Sequence, residues 1–127
     1  MAGGCRQQAP TGVAVAPAKR TDPMALEGTW FIVASDLPTW TSPEKTSPAL
    51  HYRLTSPVDG LAVLEDRATF IEHGKHAEYV GTDTQEAAGS LSFSWRGKGA
   101  LSLLSTRWHL MHMAPDQSWA VAFYEKT

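Results

Sequence analysis

Few residues in this chain have the types and spacing that catalysis or metal binding demands. The five histidines are His51, His73, His76, His109 and His112. His109 and His112 stand three apart, so on a strand they point to opposite faces and cannot clamp one metal ion. His73 and His76 flank a turn and can approach each other, but no cysteine or second acidic pair completes a metal site there. Glu65, Asp66 and Glu72 share one segment. Glu65 and Asp66 alternate faces, which makes them solvent charges beside Arg67 rather than an acid–base pair. No G-x-S-x-G elbow is present, and the single cysteine, Cys5, lies in a stretch of Gly, Ala, Gln and Pro. Gly97-Lys98-Gly99 is too short to cradle a phosphate and reads as a hairpin turn. These patterns assign no catalytic residue, no metal and no cofactor.

The chemistry that remains is binding by apolar and aromatic surface. The chain has 127 residues, 43% hydrophobic and 19% charged, which suits one globular domain with a real core. Five tryptophans favour aromatic packing or a ligand pocket. A net charge of -2 gives no electrostatic ground for binding nucleic acid. No apolar run is long enough to span a bilayer.

Alternating apolar and polar residues predict seven strands, at about 28–36, 50–55, 61–73, 76–84, 91–96, 101–113 and 119–124. Local turns such as Pro57-Val58-Asp59-Gly60 join them, so an antiparallel meander curled into a barrel is expected. The pattern breaks at Glu65-Asp66-Arg67, where a bulge or bend is expected. Residues 36–48 carry three prolines and read as a long ordered loop, with Trp40 either over the barrel mouth or pinned to its outside. Continuing the alternation gives a lining of Tyr52, Leu54, Ala62, Leu64, Tyr79, Leu91, Phe93, Trp95, His109, Met111, Ala120, Ala122 and Tyr124. Small alanines beside large aromatic walls suit an elongated apolar ligand anchored by a Tyr or His. Each buried methylene of such a ligand contributes about 0.8 kcal/mol. The alternative is that these side chains fill a solid core.

The stretch Leu26-Glu27-Gly28-Thr29-Trp30, preceded by Asp22-Pro23, resembles the first signature of the lipocalins. Ala114-Pro115-Asp116 before Trp119-Ala120-Val121 is similar to a second signature, with the acidic residue displaced by one position. Trp95-Arg96-Gly97-Lys98-Gly99, Arg107-Trp108 and Tyr124-Glu125-Lys126 resemble the bacterial branch in particular. The resemblance spans residues 22–127 and implies an all-β, antiparallel up-and-down lipocalin-like β-barrel (a calycin). Gly28 and Trp30 would close one end, and the loop bearing Trp40 would partly cover the other. The implied function is binding and transport or storage of a small hydrophobic ligand, a fatty acid or lipid-like molecule. The resemblance leaves open a lipocalin-fold enzyme or a haem-binding barrel that uses His109. Lipocalins also have an eighth strand, whereas this chain stops after the seventh. The expected barrel is therefore incomplete at the C-terminus, with open strand edges through which two copies could form a homodimer. Small residues before Cys5 resemble the end of a bacterial lipoprotein signal. That likeness implies a lipidated Cys5, a flexible membrane tether over residues 1–21, and a place in the bacterial cell envelope.

Overall fold

In the computed structural model, which describes residues 2–5 and 22–125, two-residue turns set the course of the chain. His73 (φ 51°) and Gly74 (φ 74°) both take the left-handed backbone that a tight hairpin requires, and they join β4 to β5. Asp59 (φ 52°) and Gly60 (φ 76°) do the same between Val58 and Leu61. The strands are β1 (Ala2–Cys5), β2 (Gly28–Ser35), β3 (Lys45–Leu54), β4 (Val63–Glu72), β5 (Lys75–Gln85), β6 (Ser92–Gly97), β7 (Ser105–Met113) and β8 (Trp119–Tyr124). Among the described residues, helix is confined to short turns, chiefly α1 (Pro38–Thr41).

The seven strands β2 to β8 form one antiparallel sheet curled into a half-barrel, and β1 bridges its two edges. The fold is all-β and up-and-down; β2 to β8 by themselves are consistent with an incomplete lipocalin-like barrel, which β1 closes. The edges expected to be open are both paired, because Gly3 lies opposite Ala34 of β2 and Val121 of β8. This corrects the reading of residues 1–21 as tether throughout. Ala2–Cys5 is strand, and the Cys5 backbone sits opposite Phe31 and Trp119. Residues 6–21 lie outside the described residues.

Two irregularities differ from the sequence expectation. β4 pairs with β3 and β5 in continuous register through Glu65, Asp66 and Arg67, so no bulge forms there. The register shifts instead in β3, between Thr46 and Ala49, and in β7, between Leu110 and His112. The shift in β7 re-aims the end of that strand, turning Met113 inward while Met111 and His112 face solvent.

The core occupies the end of the barrel at which β2 begins. Leu26, Trp30, Tyr52, Leu64, Phe93, Trp108 and Ala120 are buried against one another. A 3₁₀ turn at Pro23–Leu26, capped by the Asp22 side chain on the Met24 amide, delivers Leu26 beneath the barrel. Trp30, 3% exposed, donates its indole N–H to the Leu26 carbonyl at 2.8 Å. That single bond satisfies both polar groups inside the apolar plug.

Candidate ligand site

Period-two alternation places Leu64, Asp66 and Ala68 of β4 on the inner face, opposite Asp83, Gly81 and Tyr79 of β5. Asp66 and Asp83 are therefore diagonal neighbours, within reach of each other across the strands. Both are buried, and Asp83 is wholly so. Asp83 Oδ1 accepts the indole N–H of Trp108 at 2.9 Å. Among the described residues, no donor reaches Asp83 Oδ2. A proton retained by either carboxyl of the pair would supply that donor, since two ionised carboxylates cannot bond each other. Burial pushes the Asp66 carboxyl up, and pushes that of Asp83 well up, with the neighbouring Asp66 adding to the shift of Asp83.

Trp108 organises the aromatic floor around this pair. Its ring stacks on Phe93 (4.7 Å between centroids), Tyr124 (5.7 Å) and Tyr52 (5.9 Å). The hydroxyls of Tyr52 and Tyr124 stand 3.5 Å apart, and burial raises both above the usual phenol range. Above the floor the barrel is not filled. A cavity of about 670 Å³ opens between Leu37–Trp40 on one rim and Leu101–Leu104 on the other. Leu50, Ala68, Tyr79 and Trp95 form its walls, and Asp66 and Tyr124 lie at its base.

The mouth is built by contacts of Trp40. Its ring meets Phe70 edge-on at 5.8 Å and Tyr79 at 6.2 Å, which holds α1 over the opening rather than on the outside of the barrel. Lys45 donates to the Tyr79 hydroxyl at 3.0 Å, and its ammonium lies 5.3 Å from the ring centres of both Phe70 and Tyr79.

The expected residues fall in several places. Ala62, just before β4, is partly buried, its amide donating to Gln85 Oε1 at 3.0 Å. Trp40, Tyr79, Trp95 and Tyr124 line the cavity. Tyr52, Leu54, Leu64, Phe93, Ala120 and Ala122 pack in the filled end instead. Leu91 precedes β6 and is partly buried, its carbonyl accepting the Leu110 amide at 2.9 Å. His109 and Met111 are corrections, because both face outward. Met111 is 62% exposed. His109 bonds Ser92 Oγ through Nδ1 and lies 3.2 Å from Glu125 Oε1 through Nε2. His109 is therefore absent from the cavity lining.

Neither the chain nor its fold matches a family model, a curated protein or a solved structure. The assignment of function therefore rests on the geometry of the site itself.

Three groups at the site were not expected from the sequence. Trp108 takes the inward place in β7 because burying an indole gains more than burying an imidazole, and Asp83 satisfies its N–H. The inward run Thr106, Trp108, Leu110 alternates with the polar run Arg107, His109, and that contrast was the available signal. Asp66 was expected to be a solvent charge. It is instead 6% exposed, on the inner face with Leu64 and Ala68.

On the outer face, Arg107 bonds Glu86 at 2.6 and 2.8 Å and approaches Glu125 at 3.4 Å. Its guanidinium holds the Glu86 carboxyl down to about 2. Ser92, His109 and Glu125 have the residue types of an acyl-transfer triad. With Arg107 engaged by two carboxylates, they form part of a network tying β6, β7 and β8 together. His73 lies with Glu44 and Glu72 on the surface at the β4–β5 turn, its Nε2 3.6 Å from Glu44.

Proposed function

We propose that this protein binds a small, mostly apolar ligand in the open half of its barrel, as a carrier or store. The observation that supports this reading is the coexistence of a filled end and an unfilled one in the same barrel. Trp30, Phe93 and Trp108 are buried together in the first, while a cavity of about 670 Å³ lies above them, within the size range of small-molecule sites. Leu37, Leu50, Ala68, Trp95 and Leu104 give apolar contact area, while Asp66, Tyr79, Thr106, Tyr124 and Glu125 supply polar groups that can orient a ligand. Trp40 and the exposed Leu104 stand on the rims, where a ligand would cover them.

Ala68 provides the test. It is buried at the cavity wall, facing Leu50 and Tyr79 in register. Ala68→Phe would fill the space with a ring while leaving the floor intact. The fluorescent probe N-phenylnaphthylamine should bind the native protein, be displaced by dodecanol, and lose its binding in Ala68→Phe with the far-UV spectrum unchanged. Equal binding to a folded Ala68→Phe would remove the cavity from the account.

A further inference from the structure

We propose that the base of the cavity recognises a primary ammonium head group, so that the ligand is a cationic amphiphile held by Asp66. The inference rests on the cavity being a ligand site and adds the chemistry of what enters it. Asp66 is 6% exposed, and that remnant opens into the cavity. Its polar neighbours are the Asp83 carboxyl and the phenols of Tyr52 and Tyr124. Among the described residues, no lysine, arginine or histidine pairs with either acid. A carboxyl this deep, without a cationic partner among the described residues, lacks the counter-charge that buried acids ordinarily have.

The surroundings select the partner's type. Tyr124 lies beside Asp66 at the cavity base, so a head group with several donors can bond the carboxylate and the phenol oxygen together. An ammonium offers three donors and a full charge, an alcohol offers one donor and none. A fatty acid fits less well in either direction. Head first, its carboxylate meets the acid pair. Tail first, its head can reach Lys45 at the rim, but its methyl end desolvates Asp66 without replacing the lost water. The alkyl chain of an amine lies instead along Leu50, Ala68 and Leu104 toward the mouth.

The test compares n-dodecylammonium, 1-dodecanol and dodecanoate, each below its micelle concentration, by tryptophan fluorescence and calorimetry on the full chain. The ammonium should bind the native protein about tenfold tighter than the alcohol, the ratio expected when a charge-assisted hydrogen bond replaces a neutral one. Dodecanoate should bind more weakly than the alcohol. In Asp66→Asn the ratio of ammonium to alcohol affinity should fall to near one. The native ratio stands on its own if that variant does not fold. Equal binding of ammonium and alcohol to the native protein, or a preference that survives in folded Asp66→Asn, would overturn the head-group assignment while leaving the apolar cavity in place. Binding of none of the three would overturn the cavity reading as well.

Discussion

Gly81 is the position at which one methyl group should disturb both the barrel and its cavity. It is buried on β5, between Asp66 of β4 and Gly97 of β6. A Cβ there would press into the Trp95 indole, 2.5 Å from Cε2, and stand 2.6 Å from the Arg96 carbonyl oxygen. The indole can swing only toward the cavity it lines, and the carbonyl belongs to the paired backbone of β6. Overpacking of this kind costs about 1–3 kcal/mol. Replacing glycine restricts the unfolded chain and returns about 0.4–1 kcal/mol. Gly81→Ala should therefore be destabilised by roughly 1–2 kcal/mol, a fall in Tm of roughly 4–8 °C for a domain of this size. Thermal melts followed by near-UV circular dichroism would measure it, and the Trp95 signal should change in the folded baseline. Probe affinity should drop in the same variant, because the displaced indole enters the binding space. A Tm equal to or above that of the native protein would mean that Trp95 does not lie across Gly81, and the described cavity wall would be wrong.

Two further substitutions examine the groups beneath the cavity. The folded-state values of Asp66 and Asp83 are both raised, so the stability they contribute is fully present below the unfolded carboxylate value and is lost as pH rises through the folded ones. Asp83→Asn keeps an acceptor for Trp108 and gives Asp66 an N–H donor; its Tm should exceed the native value at pH 8, with the gain shrinking toward pH 4.5, and a pH-independent difference would contradict the retained proton. Trp30→Phe removes the donor to the buried Leu26 carbonyl and should destabilise by about 1–3 kcal/mol in urea unfolding, whereas a change within about 0.5 kcal/mol would show the indole bond to be dispensable.

The meander was legible in the sequence because alternation and turn chemistry agreed along it. Asp59-Gly60 and the turn at Gly74 marked hairpins that do form. Leu50, Tyr52 and Leu54 share the face their spacing gave them, and Trp30 closes the filled end. β1 was not legible. Four residues rich in glycine carry no alternation, and only the unpaired backbone of β2 and β8 gives them a strand's place. In β7 a bulge between Leu110 and His112 changes parity, leaving Met111 outside and Met113 inside, while His109 precedes the bulge and takes the outer face by alternation with Trp108. Asp66 and Asp83 follow the parity of Leu64 and Tyr79, so their inward aim was present in the pattern. The general rule that charges face solvent outweighed it. That rule holds for charges; a carboxyl that keeps its proton is a polar group and obeys the rule for hydrogen bonds instead.

The central claim is that apolar chains bind by burial in the open half of the barrel. Its most direct test is the dissociation constant of a straight-chain alkanol series, from octanol to dodecanol, measured on the native protein. Each added methylene that enters the cavity should tighten binding about fourfold, corresponding to about 0.8 kcal/mol, until the cavity is full and the increments stop. Affinity that does not change along the series would place the contact on the protein's surface and contradict a binding cavity.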